Sequence, residues 1–192
     1  MNTRMVLSLS VTGLFAACGG GNHPENDAMM AEHAAMMKAD STAKAAHAAG
    51  LACTERIYGM FGTGDATGIE ECVAAEFVEH APPPPGITST GLQSLKDIIA
   101  WSHTAYPDMK MTVLSSAMEG DVLFVHYNQK GTNSGAMGPD MPATGKAIDV
   151  SGVDIIRFAN GKAVEHWGYW DETTMMQQLG LAPAPGAAPQ KK

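Results

Sequence analysis

The stretch that decides the fold reads Gly161-Lys-Ala-Val-Glu-His-Trp-Gly-Tyr-Trp-Asp-Glu-Thr-Thr-Met-Met-Gln-Gln-Leu-Gly180. It follows Asn160 directly, and an Asn-Gly pair supplies the positive φ angles of a tight hairpin turn. Residues 164–170 are aromatic and alternate in character, which is typical of a half-buried strand. The sequence therefore predicts a hairpin whose second strand runs directly into a helix that begins at Glu172.

Alternation assigns the side chains of this strand to two faces. One face carries Glu165, Trp167, Tyr169 and Asp171, and the other carries Val164, His166, Gly168 and Trp170. A carboxyl group beside aromatic walls can have a raised pKa and serve as a general acid or base, which makes Asp171 a candidate catalytic residue. From these residues alone we favour the alternative that Asp171 only caps the helix that follows, because Asp is a favoured N-cap residue.

Composition limits the classes of protein to which the chain can belong. Its 192 residues are 45% hydrophobic and carry a formal net charge of −8. This hydrophobic content suits one domain with tails. An acidic chain without a basic block offers nothing to the phosphate backbone, so we expect no nucleic-acid partner.

The first 17 residues resemble an export signal. Arg4 precedes an apolar run that is too short to span a bilayer. The run ends at Cys18 and a glycine-rich segment, which resembles a bacterial lipobox with an acylated Cys, although Phe15 stands where Leu is usual. The alternative is an ordinary signal peptide cut after Ala17. We favour the lipoprotein, which predicts export and a lipid anchor at the periplasmic side of the cell envelope, on the outer membrane.

Residues 18–39 are predicted to be a tether, flexible from Gly19 to Asp27. If its later part is helical, Met29, His33 and Met36 or Met37 fall on one face. Thioether and imidazole groups together suit Cu(I). The alternative is an Ala-rich helix or disordered spacer with methionines as fillers. We favour this alternative, in either form, because no Cys or second His pair completes a site, and we therefore predict no metal site.

The remaining chain is predicted to alternate between helices and short strands. Helices are expected at 40–61, 66–75 and 91–106, strands at 76–80, 109–118, 121–130 and 146–158, a loop at 131–144 and a disordered tail at 182–192. Four consecutive prolines at 82–85 exclude a helix or central strand there. Glu119-Gly120 predicts a second hairpin turn.

Two cysteines, Cys53 and Cys72, lie on the first two predicted helices. In an oxidising exported compartment they can pair and leave Cys18 for the lipid. Two free buried thiols are the alternative, because the helices must bring the sulfurs together.

Helices, then antiparallel strands, then a short closing helix make an α+β layout. Eight motifs occur within it in one order: Phe77-Val-Glu-His80, Tyr106-Pro107-Asp108, Glu119-Gly120-Asp121, Lys130-Gly131-Thr132, Pro142-Ala-Thr-Gly145, Asp154-Ile-Ile-Arg157-Phe158, Asn160-Gly161-Lys162, and Glu165-His166-Trp167 through Asp171 to Gln178-Leu179-Gly180. The ordered set resembles the SnoaL-like polyketide cyclase family, within the nuclear-transport-factor-two-like superfamily. The resemblance implies, for a domain of residues 40–181, a cone in which a curved antiparallel sheet wraps N-terminal helices and encloses an apolar pocket.

The resemblance also implies a chemistry. In cyclases of this family, a pocket carboxylate does acid–base work in an intramolecular aldol condensation, with no metal or cofactor. Asp171 matches the aspartate of the family's Trp-x-x-x-Asp pattern, and His80 of the Phe-x-x-His pattern is placed to polarise a substrate oxygen. The further pocket residues expected are Trp101, Tyr127, Trp167, Tyr169 and Arg157. For Arg157 we weight a salt bridge with Asp154 or Glu165 above a pocket role.

Two functions follow from this resemblance. The first is a cofactor-independent lyase or isomerase of the cyclase type, acting on a small carbonyl compound through Asp171. The second is an envelope-tethered protein that binds a small hydrophobic or aromatic ligand without turnover. Either function is compatible with a homodimer. Fold analogy does not decide between them, so both stay open at this point.

Overall fold

The computed structural model describes residues 24–183 and divides them, between Ala39 and Asp40, into two compact units. The first unit is helical throughout its described residues. The predicted signal peptide, Cys18 with the start of the tether, and the tail from residue 184 lie outside the described residues. Within residues 24–183, no helix combines the length and the apolar character needed to cross a membrane.

Three helices, a short 3₁₀ helix and five strands follow one another along the chain. They are α1 (Pro24–Thr63), the 3₁₀ helix (Ile69–Glu71), β1 (Val73–Glu79), α2 (Gly91–Ala105), β2 (Lys110–Glu119), β3 (Val122–Thr132), β4 (Ala147–Ala159), β5 (Lys162–Trp170) and α3 (Glu172–Leu179). The strands form one curved sheet in the order β1-β5-β4-β3-β2. This architecture confirms the predicted α+β fold class.

Helix α1 begins earlier than predicted. Pro24 suits its first position, because proline lacks the N–H that would be unpaired there. Glu25 and Asp27 lie in the first turn, where negative charge favours the helix dipole. The flexible tether expected up to Asp27 is therefore wrong for residues 24–27, which are helical.

The helix predicted over residues 66–75 is wrong. After the 3₁₀ helix the chain enters β1 at Val73, whose partner across the sheet is Ala163 of β5. The backbone N–H of Ala163 also donates to the Cys72 carbonyl at 2.8 Å. Pairing with β5, together with the β-branched side chain of Val73, outweighs the weak helix propensity of this segment.

The sheet is mixed, whereas the sequence analysis expected an antiparallel one. β1 pairs with β5 in parallel, and the other three pairs are antiparallel. A hairpin forces antiparallel pairing, but β1 is separated from β5 by a long crossover and is free of that restriction. Both predicted hairpin turns are confirmed: Gly120, Asn160 and Gly161 have φ angles of 59°, 51° and 78°.

Irregular pairing curves the sheet around α2 and the second-unit part of α1. The register shifts between Val113 and Ser115 of β2, and between Arg157 and Phe158 of β4. Bulges of this kind bend a strand and increase its twist. Ile69, Ile99 and Leu123 are fully buried in the resulting core.

A disulfide joins Cys53 of α1 to Cys72, immediately before β1. The cross-link settles the alternative that the sequence left open, because the sulfurs of these two cysteines are bonded rather than free. Cys72 belongs to the core cluster around Ile69 and Val73, and the partly buried Cys53 packs against that cluster. The bond therefore ties the start of the edge strand β1 to the helix behind it.

We predict that breaking this disulfide costs stability without changing the fold. A bridge that spans 19 residues should stabilise the domain by about 3 kcal/mol in the chain-entropy model. Urea unfolding of the Cys53→Ala, Cys72→Ala double variant should show a loss of that order. Reduced wild-type protein is the control that separates the cross-link from the cavity left by truncation. Equal stability of oxidised and reduced wild type would contradict the prediction.

Candidate active site

A cavity of about 650 Å³ opens inside the second unit. Its lining draws on all three helices and all five strands of the described chain. Most of the wall is apolar, for example Ile57, Phe61, Leu95, Ile98, Met111 and Ile156. A cavity of this size and character is in the range of pockets that bind small organic molecules.

Two loops complete the wall. The first is the tetraproline segment 82–85, whose fixed φ angles hold it extended. The second contributes Met137, whose carbonyl accepts a hydrogen bond from Trp101 Nε1 at 3.1 Å. The loops meet where Gly138 approaches Pro85, since a Cβ at Gly138 would lie 3.3 Å from the proline ring. The wall on this side is therefore made by packed loops rather than by regular structure.

Asn133 orders the second loop from within. It is completely buried, and its Nδ2 donates to the Gly135 carbonyl at 2.8 Å. Its Oδ1 accepts from the backbone N–H of Thr144 at 2.8 Å and from the Thr144 hydroxyl at 3.0 Å. One side chain thus joins the two ends of the loop predicted at residues 131–144.

One group of charged side chains stands in the apolar cavity. His166 of β5 lies between two carboxylates: its Nδ1 is 2.8 Å from Glu79 Oε2 of β1, and its Nε2 is 3.2 Å from Asp154 Oδ1 of β4. Tyr58 of α1 donates its hydroxyl to Asp154 Oδ2 at 2.7 Å. We call Glu79, His166, Asp154 and Tyr58 the charged cluster, and all four line the cavity.

Sheet register explains how these residues meet. β5 lies between β1 and β4, with Glu79 directly opposite His166 on one side and Asp154 opposite Gly168 on the other. Gly168 leaves the room that the imidazole uses: a Cβ there would lie 3.0 Å from His166 Cε1 and 3.5 Å from Asp154 Oδ1. Without a side chain at residue 168, His166 can lean across to Asp154.

The two carboxylates keep His166 charged. Burial by itself would lower the pKa of His166, but hydrogen bonds to Asp154 and Glu79, and their negative charges, raise it to about 10. As an imidazolium, His166 donates from both ring nitrogens. Two carboxylates and one imidazolium give the charged cluster a formal net charge of −1 inside an apolar cavity.

Tyr58 holds Asp154 from the opposite side. Burial raises the pKa of Tyr58, and the negative charge of Asp154 raises it further. The phenol therefore stays protonated and donates to the carboxylate. Tyr127 packs edge-on against Tyr58, with the ring centroids 5.5 Å apart, which fixes the position of the donor.

Asp171 is not placed as the sequence analysis expected. It is exposed, it is not among the residues that line the cavity, and it caps α3. Its Oδ2 accepts from the Thr174 hydroxyl at 2.7 Å and its Oδ1 from the Thr174 N–H at 2.9 Å. These bonds hold the pKa of Asp171 below its ordinary value. The expected burial and raised pKa are therefore wrong, because the carboxylate satisfies the first turn of the helix instead.

The other predicted pocket residues divide into two groups. The first group lines the cavity and consists of His80, Trp101, Tyr127, Trp167 and Tyr169. Arg157 does not line it: Nε is 3.1 Å from Glu165 Oε1, and a guanidinium nitrogen is 3.3 Å from Asp121 Oδ2. The salt bridge with Glu165 that we weighted more heavily is present. The pocket role of Arg157 is wrong, because alternation turns its side chain away from the face that carries Asp154 and Ile156.

His80 lines the cavity, but its ring also shares a partner with Arg157, because both side chains contact Glu165. Its ring stacks on Trp167 with centroids 4.3 Å apart and planes within 2°, and its Nε2 is 2.9 Å from Glu165 Oε2. Its backbone N–H donates to the His166 carbonyl at 2.9 Å, but its ring bonds to Glu165 and not to a side chain of the charged cluster. The two faces of β5 were predicted correctly, and it is His166, on the face opposite to Trp167 and Asp171, that points to the carboxylates.

The sequence analysis did not name Glu79, Asp154 or Tyr58 as site residues. A signal for Asp154 was available, because it continues a buried alternation in β4 with Ile148, Val150, Gly152 and Ile156. A carboxylate in the apolar phase of a strand needs a charged partner. Tyr58 had no comparable signal, since a tyrosine in the apolar stripe of a helix is ordinary core.

Comparisons with known proteins agree with this architecture. A curved sheet wrapped around helices, with a cavity inside, defines the class of nuclear-transport-factor-two-like folds. A sequence profile of the SnoaL-like polyketide cyclases matches residues 52–179. The match covers more than half of the 192 residues, so the chain belongs to the SnoaL-like polyketide cyclase family. No curated protein matches the chain.

Solved structures share the fold. TsrD from Streptomyces laurentii is 23% identical with a TM-score of 0.62, over 70% of this chain and 97% of TsrD. A proposed polyketide cyclase from Bacillus cereus is 26% identical with a TM-score of 0.58, over 70% and 83% of the two chains. IdmH from Streptomyces antibioticus, also a proposed polyketide cyclase, is 28% identical with a TM-score of 0.58, over 68% and 98%.

We predict that Glu79→Gln lowers the pKa of His166, because glutamine keeps an acceptor but removes one negative charge. A folded pKa raised from 6.5 to about 10 gives stability that is fully present below pH 6.5 and lost as pH rises towards 10. Wild-type protein should therefore lose unfolding free energy across that window, and Glu79→Gln should lose less. NMR titration of the His166 ring measures the pKa directly, and urea unfolding at several pH values measures the stability.

His126→Gln is the matched control, because it removes an exposed imidazole of β3. It should leave the pH dependence of unfolding as in wild type. A His166 ring that titrates near pH 6.5 in wild-type protein would show that the two carboxylates do not hold its charge.

Proposed function

We propose that this protein closes a ring in a small, largely apolar carbonyl compound by an intramolecular aldol-type reaction. The observation that carries the proposal is His166, held between Glu79 and Asp154 inside an apolar cavity. Two of the similar structures are those of proposed polyketide cyclases, which supports the reaction class. The reaction consists of proton transfers and one C–C bond formation, so the proposal includes no cofactor.

Asp154 is the proposed base. It removes a proton from the carbon next to a carbonyl group, and the electron pair of that C–H bond becomes an enolate. The enolate carbon then bonds to a second carbonyl carbon of the same molecule, whose π electrons move to its oxygen. Asp154 returns the proton to this alkoxide, so the sequence is a balanced isomerisation that regenerates the carboxylate.

Carboxylates are modest bases, which limits the substrate. An ordinary aspartic acid has a pKa near 4, so only an acidified C–H bond, such as one between two carbonyl groups, would exchange readily. The cavity volume of about 650 Å³ suits a molecule of one or two rings. We therefore propose a linear or partly cyclised β-dicarbonyl compound as the substrate class.

His166 supplies the compensating charge. Its imidazolium lies 3.2 Å from Asp154 Oδ1, in a cavity where a charge acts more strongly than in water. As the proton leaves carbon, negative charge moves from the carboxylate to the substrate oxygen beside this imidazolium. A positioned positive charge of this kind stabilises an enolate or alkoxide without reorganising solvent.

Glu79 and Tyr58 are positioning residues in this proposal. Both oxygens of Glu79 lie within 2.9 Å of the Nδ1–H of His166, and Oε1 also accepts from the Ala81 N–H at 2.9 Å, so Glu79 fixes the ring against β1. Tyr58 holds the second oxygen of Asp154. Neither is required to touch the substrate.

Binding without turnover is a second candidate function. One observation favours it: both ring nitrogens of His166 and both oxygens of Asp154 already have partners within the protein. A network whose hydrogen bonds are all satisfied need not react with a ligand. It can simply form a polar region in the wall of an apolar binding site. In that case the same cavity binds a hydrophobic ligand and releases it without changing it chemically.

We predict that Asp154→Asn abolishes proton abstraction but retains ligand binding. A panel of aromatic β-dicarbonyl compounds is incubated in D₂O, and NMR measures deuterium uptake at the activated carbon. Loss of the base should slow exchange by about 100-fold or more. Thermal shift with the same compounds measures binding, because a ligand that binds only the folded state raises its apparent stability.

Asp171→Asn is the matched control, because asparagine caps a helix as well as aspartate does. It should exchange at the wild-type rate. Equal exchange by Asp154→Asn and wild type would remove Asp154 as the base. Thermal stabilisation without exchange by any compound would instead support the binding function.

A further inference from the structure

Five side chains with soft or nitrogen donor atoms share one face of α1 within the first unit. They are Met29, Met30, His33, Met36 and Met37. The methionines lie three and four residues to either side of His33. At 3.6 residues per turn, the five occupy an arc of about 120° of the helix circumference. We call this set the methionine stripe.

The stripe faces water. The methionines are 57% to 68% exposed, and His33 is exposed as well. Methionine is a useful filler when it closes gaps in a core. A filler role does not explain these four, because an exposed side chain fills no gap. Of the two forms that the sequence analysis allowed for this segment, an Ala-rich helix and a disordered spacer, the structure shows the helix.

Helical spacing brings the donor atoms of the stripe together. Residues three and four apart on a helix have Cβ atoms about 5–6 Å apart. Long helical side chains lean towards the N terminus, so Met36 and Met37 lean over the turn that carries His33. The flexible thioether chains then need only rotamer changes to bring two sulfurs and the imidazole to one point.

We propose that the methionine stripe binds one Cu(I) ion through His33 and the sulfurs of Met36 and Met37, with Met29 or Met30 as a further ligand. Thioethers are soft ligands that select Cu(I), and imidazole suits copper. One neutral imidazole offers one coordinating nitrogen, so only one ion of the stripe can have a nitrogen ligand. Within residues 24–183, no group of three or more His, Cys, Asp or Glu is arranged to hold a metal ion, so the described residues offer no competing site of that kind. None of the five residues of the stripe lines the cavity.

The test is a Cu(I) titration of the full chain against a competing chromophoric Cu(I) chelator, without oxygen. Ascorbate keeps copper reduced and leaves the Cys53–Cys72 disulfide intact. Every chain, including the reference, carries Cys18→Ser so that a free thiol does not compete. X-ray absorption counts the nitrogen and sulfur ligands.

We expect the reference chain to bind one Cu(I) with one nitrogen and two or three sulfur ligands. Met36→Leu with Met37→Leu should weaken binding by at least about tenfold, since lost metal-site partners commonly cost that much. Circular dichroism should show the same helix content, because leucine and methionine have similar helix propensities.

The sharpest control keeps the composition and moves the sulfurs. A quadruple variant combines Ala34→Met, Ala35→Met, Met36→Ala and Met37→Ala. It moves two methionines to positions 34 and 35, whose side chains do not face His33 on a helix. This chain should bind Cu(I) as weakly as the leucine variant. Binding as tight as that of the reference chain, or no Cu(I) retained by the reference chain against the chelator, overturns the proposal.

Discussion

The arrangement of the cavity depends on one half-buried charge. His166 is flanked by Glu79 and Asp154, and this arrangement exists only where β5 lies between β1 and β4. Removing ions from water is costly, so a lone imidazolium in an apolar cavity would lose its proton. Two carboxylates reverse that tendency and raise the pKa of His166 to about 10. The parallel edge strand, the empty position at Gly168 and the tyrosine of α1 all serve this arrangement.

An ionic group of this kind adds less net stability than the attraction between its charges alone would give, because desolvation offsets much of that attraction. Its presence inside an otherwise hydrophobic wall therefore suits a function as well as folding. The proposed ring closure uses two members of this group. Asp154 is the base, and the positive charge of His166 stabilises the developing oxyanion. The disulfide at the start of β1 and the packed loops around Met137 and Pro85 hold the surrounding wall. A site held in this way is preorganised, which is the usual source of electrostatic catalysis.

Local features were predictable because they depend on neighbours in sequence. Asn160-Gly161 needs positive φ angles whatever surrounds it, and the turn formed where expected. The alternation of residues along β5 correctly predicted which of its side chains lie on each face of the sheet. One error arose where a distant partner decides, since the segment around Val73 became a strand because β5 was there to pair with it. The other concerned a choice that the sequence left open, because Asp171 caps its helix through two donors of the nearby Thr174.

Turn chemistry, side-chain period and the ordered motifs of the chain were enough to establish the α+β class and the family. They act over a few residues, so their effect is the same in any context. The identity of the buried polar group was not accessible in this way. Glu79, Asp154 and His166 are far apart along the chain, and their meeting depends on strand order and register. The polarity of the cavity is therefore a property of the assembled sheet, since a charge becomes functional only when folding removes the water around it.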